Sequence, residues 1–335
     1  MATMNHQVRL ASRPDGIPQA RHFALVAAPM PEPREGQFLV RNLYLSVDPA
    51  MRGWVGAVAN YSKPVAIGEV MRSRAVGEVV ASRHPDYRVG EHVVGWLGWQ
   101  EYAVSDGTGI IRRVTETDLP LSAALGVLGM NGVTAYFGLL DIGQPKPGET
   151  VVVSTAAGAV GSAVGQIAKL KGCRTIGVAG GAEKVRLCRD EFGYDAAIDY
   201  KGTADLDAAL GDACPDGVDV YFDNTSGRIS EAVLRRINKR ARIVICGTAA
   251  LASWEPWPQG PRVERHLLVK SARMEGFLVF DYENRTHEAV PLLAQWVRDG
   301  KLRYREDILA GLDQAPDAIA GLYRGENLGK RLIKL

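Results

Sequence analysis

The sequence predicts an α/β protein in which a doubly wound parallel sheet is joined to a second, β-rich domain. Three observations predict it. Short strands separated by Gly and Pro fill the chain up to about residue 120. Strands and helices then alternate between residues 151 and 246, the pattern of a parallel sheet covered by helices on both faces. Finally, the β-branched run Val151-Val152-Val153 enters a turn of small residues and continues as a helix through residue 170.

Each element has its own signal. Residues 38–47 alternate apolar and polar, as a half-buried strand does. Residues 75–80 read as a strand, 87–95 as a turn followed by a strand, and 99–104 as another strand. Such short strands suit a barrel-like or sandwich domain. Residues 123–140 read as helical, with an interruption at 129–132. The alternation then runs strand 151–154, helix 160–171, strand 174–179, helix 182–191, strand 196–199. It continues with helix 204–211, strand 218–223, helix 228–236, strand 241–246 and a helix over 288–299. The tail carries a helix around 316–323 and a last strand over 329–334, which is expected to rejoin the first domain. There is no internal repeat.

The turn carries the chemistry. In Thr155-Ala156-Ala157-Gly158-Ala159-Val160-Gly161, two glycines of a G-x-G-x-x-G pattern are present and Ala156 holds the place of the first. The motif alone is weak. Its setting, with a strand before, a helix after and a second strand about twenty residues on, is that of a dinucleotide-binding βαβ unit. Such a turn aims backbone N–H groups and a helix N-terminus at a pyrophosphate. The second strand ends in Gly180-Gly181-Ala182-Glu183-Lys184. A dehydrogenase that prefers NAD places an acid there to hold both ribose hydroxyls. Here glycines take that place and a cation follows, which fits a phosphate on the adenosine ribose. Glu183 at a helix start favours the positive end of the dipole. The expected division is a β-rich substrate domain from 1–122 and 300–335, and a dinucleotide-binding domain over 123–299.

Composition excludes several classes. The 335 residues are enough for two cores. With 46% apolar and 23% charged residues, the chain has an ordinary globular mix. A net charge of +2, both signs interspersed, signals neither nucleic acid nor an anionic membrane as partner. Cys173, Cys188, Cys214 and Cys246 show no C-x-x-C spacing, and free thiols suit a reducing cytoplasm. The N-terminus has no apolar core of a signal peptide. The uncharged stretches 119–140 and 150–168 read as buried α/β core rather than membrane spans. The six histidines are scattered without i, i+4 pairing, and His92 in an expected strand reads as structural.

Specific words of sequence carry a resemblance. They include Leu45-Ser46-Val47-Asp48-Pro49, Met51-Arg52-Gly53, Trp99-Gln100-Glu101-Tyr102, Ala156 to Gly161, Phe222-Asp223-Asn224, Cys246-Gly247, Met274-Glu275-Gly276-Phe277 and Gly325-Glu326-Asn327-Leu328-Gly329-Lys330. Over essentially the whole chain these resemble the medium-chain dehydrogenase/reductase superfamily. The closer likeness is to its zinc-independent alkenal/one reductases, with the leukotriene 12-hydroxydehydrogenase/prostaglandin reductases and bacterial curcumin reductases. The resemblance implies a Rossmann-type cofactor domain, a GroES-like substrate domain and an active site in the cleft between them. It implies reduction of a C=C bond conjugated to a carbonyl by hydride from NADPH. It implies a small enal or enone substrate and a cytoplasmic homodimer, with neither nucleic acid nor membrane as partner.

The same resemblance assigns residues. Cofactor contacts are implied for Thr155, Ala156, Ala157, Gly158, Ala159, Val160, Gly161, Gly180, Lys184, Cys246, Gly247 and Phe277. Tyr200 is implied at the adenosine phosphate, and Asn224 and Asn327 at the nicotinamide half. Zinc-using cousins place a Cys near the end of a first-domain strand and a Gly-His-Glu later. Here Val47-Asp48 and Gly68-Glu69-Val70 stand there, so no metal is expected. Two departures touch the chemistry. Ala50 follows Val-Asp-Pro where many relatives have Tyr, and Ala252 falls where a tyrosine linked to the substrate carbonyl is expected. That leaves Tyr61, in Asn60-Tyr61-Ser62, as the candidate hydroxyl for the developing oxyanion. The aromatic and proline-rich stretch 254–258 reads either as pocket lining or as a stiff covering loop. An NADPH:quinone oxidoreductase and a cofactor-binding protein with little turnover are the alternative functions.

Overall fold

The structure, a computed structural model, describes residues 4–58, 61–251 and 258–335. The chain divides into two compact units, one from Met1–Gly126 with Glu306–Leu335 and one from Val127–Arg305.

The first unit is built from short strands. β1 (Met4–Leu10) and β2 (Phe23–Pro29) pair antiparallel. They are followed by β3 (Phe38–Ser46), the single-turn helix α1 (Met51–Trp54), β4 (Ala75–Ser82), β5 (His92–Gly95), β6 (Tyr102–Ser105) and β7 (Ile110–Arg113). In β3 only Arg41 is exposed, and β4 buries Ala75, Val76, Gly77 and Val79, so both strands are covered on two faces along part of their length. Phe38, Val40, Leu45, Met51, Trp54, Met71 and Trp99 form the centre of this core. Burying side chains of this size stabilises by roughly 1.5–3 kcal/mol each.

The second unit opens with α2 (Met130–Phe137). The helical stretch is interrupted, as expected, but at 126–129 rather than 129–132, and Gly129 is the N-cap of α2. Five repeats of strand then helix follow. They are β8 (Thr150–Ser154) with α3 (Ala159–Leu170), β9 (Arg174–Ala179) with α4 (Ala182–Asp190), and β10 (Ala196–Asp199) with α5 (Leu206–Ala213). Then come β11 (Val218–Asp223) with α6 (Gly227–Leu234), and β12 (Ile237–Ile245) with α7 (Glu264–Lys270). β13 (Arg273–Gly276) and α8 (Thr286–Arg298) close the unit. The six strands are all parallel, in the order β10-β9-β8-β11-β12-β13. This is the doubly wound order, with its reversal between β8 and β11. β12 starts before the expected 241–246, because the register shifts at Arg240 (φ 63°) and lets Ile237 pair with Val218. Leu206, Leu210, Ile229 and Val233 of α5 and α6 pack with Val152, Ile176, Val178 and Ile243 of the sheet.

The chain then completes the first unit with β14 (Glu306–Ala310), α9 (Ala315–Arg324) and β15 (Lys330–Lys334). β15 pairs antiparallel with β3, placing Leu332 opposite Ser46 and Ile333 opposite Leu45. The sheet of this unit therefore runs β14-β15-β3-β4-β5-β7, with β6 also paired to β3.

Candidate active site

In the second unit, the implied cofactor residues all follow the carboxyl ends of parallel strands. Such a sheet holds its ligands there, at the switch point between strands. Thr155 leaves β8 in the left-handed region (φ 54°) and starts the turn. Ala156 and Ala157 are buried, and Gly158 caps α3, its N–H donating to the Thr155 carbonyl at 2.8 Å. No side chain caps this end. The first N–H groups of α3, at Ala159, Val160 and Gly161, are thus available to an anion.

The glycines of the turn serve close packing first. A Cβ on Gly161 would lie 2.3 Å from the Thr155 carbonyl oxygen and 2.9 Å from Ala156 Cα. One turn on, a Cβ on Gly165 would lie 2.1 Å from the Tyr194 ring. That ring packs on α3 at Gly165, and its hydroxyl donates to the Gly161 carbonyl at 2.6 Å. At Gly158 a Cβ would first meet Thr155, at 2.9 Å from Cγ2. The need for glycine at 158 thus begins inside the turn itself.

On the adenosine side, Gly180 follows β9, and Gly181 (φ 98°) caps α4. A Cβ on Gly180 would lie 3.0 Å from both Tyr200 Cε1 and Lys201 Cε, so both side chains pass over this glycine. Asp199 Oδ1 accepts from the N–H groups of Gly181 and Lys201 at 2.7 and 3.0 Å. The Gly181 bond is the main reason its carboxyl sits below the usual range. Arg228 donates to the Tyr200 carbonyl at 2.6 Å. Lys184 is half-buried in the first turn of α4. A cation there is opposed by the helix dipole, so helix stability does not account for it. Lys201 and Arg228, to which the sequence alone assigns no role, stand beside Tyr200.

On the other side of the reversal, Asn224 follows β11 and donates from Nδ2 to the Ser154 carbonyl at 2.7 Å. Cys246 and Gly247 follow β12, and both donate N–H to the Asp223 carbonyl, at 2.8 and 3.1 Å. Burial, then the charge of Asp223, pushes the Cys246 thiol up to about 12, which keeps it neutral. Phe277 follows β13, edge-on to Phe222 at 6.5 Å. Both rings fill the space left by Gly138, where a Cβ would lie 2.6 Å from Phe277.

The first unit holds Tyr61, Asn327 and the substitutes for zinc ligands. Tyr61 is 47% exposed. Burial still dominates the shift of its hydroxyl above 10.0, Asp48 and Tyr323 adding to it and the Trp54 indole N–H opposing it. The phenol is thus held protonated, as a donor must be. Close by, Arg52 lies 5.2 Å from the centre of the Tyr323 ring, and the Tyr323 hydroxyl donates to the Pro49 carbonyl at 3.1 Å. Asn327 donates from Nδ2 to Gly329 at 2.8 Å. Asp48 is ion-paired with Lys330, and Glu69 accepts from the Ala66 N–H at 2.9 Å. Among the described residues no three His, Cys, Asp or Glu side chains gather as metal ligands would. Ala252, and residues 254–257 of the aromatic stretch, lie outside the described residues.

The residues fit a phosphorylated dinucleotide. The turn has no room for side chains at Gly161, the helix end is uncapped, and the acid of an NAD site is replaced by glycines with a cation beyond them. Family comparisons agree. Residues 6–112 match the N-terminal domain of oxidoreductase, and residues 159–295 match the family described as zinc-binding dehydrogenase. The NADPH-dependent curcumin reductase of Escherichia coli (strain K12) is 45% identical over 99% of this chain and 97% of its own. The NADP(+)-dependent 2-alkenal reductase of Nicotiana tabacum is 39% identical over 98% and 97%. The structure of CurA from Vibrio vulnificus in complex with NADPH superposes with a TM-score of 0.92, at 46% identity and 98% coverage of both chains. The chain belongs to the zinc-independent alkenal/one reductase family of the medium-chain dehydrogenase/reductases. It is an NADP-dependent oxidoreductase.

Proposed function

We propose that this enzyme reduces the C=C bond of α,β-unsaturated aldehydes and ketones. The observation that carries this reading is chain-long identity, at 45% and 39%, to enzymes named for NADPH-dependent curcumin and 2-alkenal reduction. NADPH, when bound, supplies the hydride for the β-carbon of the conjugated system. The chain's own residues bind and orient. Thr155 to Gly161 and the α3 N-terminus hold the pyrophosphate. Lys184 and Tyr200 hold the adenosine phosphate, beside Gly180. Asn224, Cys246, Gly247, Phe277 and Asn327 line the nicotinamide half. The Tyr61 hydroxyl donates to the carbonyl oxygen as negative charge gathers there, and water or an acid protonates the α-carbon.

The enzyme works as a cytoplasmic homodimer. The exposed edge strand β13, with Leu268 and Val269 of α7 at 80% and 67% exposure, supports a second copy on that side. No described helix is long and apolar enough to cross a membrane.

An NADPH-consumption screen across enals, enones and quinones tests the reaction. Steady turnover with enals and enones, undiminished by chelators, is the expected result. Turnover with quinones alone would make this a quinone reductase. Tight NADPH binding with no turnover on any compound would make it a binding protein.

A further inference from the structure

Asp223 ends β11 at 1% exposure. A carboxylate this buried needs donors, and it has them on several sides. Ser230 of α6 donates to Oδ2 at 2.5 Å, and the Tyr221 hydroxyl donates to Oδ1 at 3.0 Å. The N–H groups of Thr225 and Ser226 donate to Oδ1 at 2.9 and 2.8 Å. The last two belong to the turn that follows the strand. Ser226 stands in that turn at φ 58°, a strained conformation for a residue with a side chain. The carboxylate therefore pins the turn 224–226.

Asn224 is held inside that turn at two points. Its N–H donates to Ser154 Oγ at 2.8 Å, and its Nδ2 donates to the Ser154 carbonyl at 2.7 Å. A carbonyl oxygen only accepts, so the amide nitrogen must face β8 and Oδ1 must face away. Among the described residues no donor reaches that Oδ1. It is a fixed acceptor, half-exposed, at the carboxyl edge of the sheet beside its reversal point. What it can read is an N–H or O–H group. The nicotinamide half of NADPH carries both, as a carboxamide and as ribose hydroxyls.

We propose that Asp223 is a positioning residue for the nicotinamide half of the cofactor: by pinning the turn 224–226 it presents Asn224 Oδ1 to a donor on that half. This rests on the reading of Asn224 as a nicotinamide-half residue. Asp223 touches no reacting atom and acts through Asn224.

Binding of two ligands to the purified full-length enzyme, measured by calorimetry, tests it. NADPH carries both halves. Adenosine 2′,5′-bisphosphate carries the adenosine half alone. In Asp223→Asn an acceptor becomes a donor toward the turn. NADPH affinity should fall about tenfold, while bisphosphate affinity stays within about twofold, since charged hydrogen bonds are lost on one side of the site. Asn224→Ala should show the same selective loss. Equal losses for both ligands in Asp223→Asn, or no loss, would overturn the proposal. If Asn224→Ala is selective and Asp223→Asn is not, the reading of Asn224 stands and Asp223 is not its positioning residue. If Asn224→Ala is not selective, the reading of Asn224 fails and the role of Asp223 fails with it. Should Asp223→Asn not fold, Ser230→Ala decides, since it removes a donor that holds Asp223 and leaves both contacts of Asn224 to Ser154 in place. A selective loss of about threefold on NADPH supports the proposal, and an equal or absent loss overturns it.

Discussion

Lys330 Nζ lies 2.6 Å from Asp48 Oδ1, and the two side chains are only 4% and 5% exposed. The ammonium also donates to Ser46 Oγ at 2.7 Å and to the Val47 carbonyl at 2.9 Å, while Ser46 Oγ donates to Asp48 Oδ2 at 2.5 Å. The start of β15 is thus locked to the exit of β3. Burial pushes the lysine below its ordinary range, and Asp48 pulls it back up.

Breaking this pair from one side leaves a buried charge without compensation. Lys330→Met should cost about 3–5 kcal/mol of stability, and Lys330→Met with Asp48→Asn should recover much of that. Urea unfolding of both variants measures it. A single variant as stable as the wild type would show the pair to be hydrated rather than buried.

Lys184→Ala should weaken NADPH binding far more than NADH binding. A charge-assisted phosphate contact is worth about 1.5–3 kcal/mol, or roughly ten- to hundredfold. Fluorescence titration with both cofactors reads the difference. Equal losses would remove Lys184 from the phosphate site.

The two glycines of the turn should behave differently. In Gly161→Ala the new Cβ meets backbone at 2.3 Å, so the turn must shift and stability should fall along with NADPH affinity. In Gly158→Val the new Cβ meets the Thr155 side chain at 2.9 Å and the Thr155 carbonyl oxygen at 3.1 Å, a milder crowding than at Gly161. That variant should fold and lose cofactor, because its branched side chain blocks approach of the pyrophosphate. Thermal melts beside NADPH titration separate the two. Full affinity in folded Gly158→Val would move the pyrophosphate away from this turn.

Tyr61→Phe keeps the ring and removes the hydroxyl. If that hydroxyl meets the developing oxyanion, the rate constant should fall by tenfold or more, since one such donor can be worth about 2.7–4 kcal/mol. The pH dependence has a definite sign. A phenol donates below its folded pKa, and burial raises that value here, so loss of this donor should lower the wild-type rate only above the ordinary phenol range. The variant should lack that alkaline fall. An unchanged rate with a good enone would leave Tyr61 a packing residue.

Much of the cofactor unit could be read along the chain. Strands at 174–179, 196–199 and 218–223 match β9, β10 and β11 residue for residue. The reason is physical. Strands buried on both faces are short apolar runs, and the helices between them carry a periodic apolar stripe, so each signal is local. The turn at 155–161 was legible because close packing leaves room only for small residues. Elements without a strong local pattern were missed. α7 buries no residue, and β13 is a four-residue edge strand with Arg273 and Glu275 in it. β1 and β2 escaped as well, since their pairing spans a long connection.

By itself, the sequence determined the order of the elements, the site of the turn and the types of residue at each strand end. Tertiary structure alone decided which polar groups those residues would meet. Lys330 finds Asp48 across 282 positions of chain, and Asn224 finds Ser154 across 70. Asp223 looked like one residue of a family motif until folding gathered Ser230, Tyr221, Thr225 and Ser226 around it. Periodicity and turn chemistry are written in neighbouring residues. The partners of a buried charge are chosen by where remote segments pack, and a linear pattern does not encode that distance.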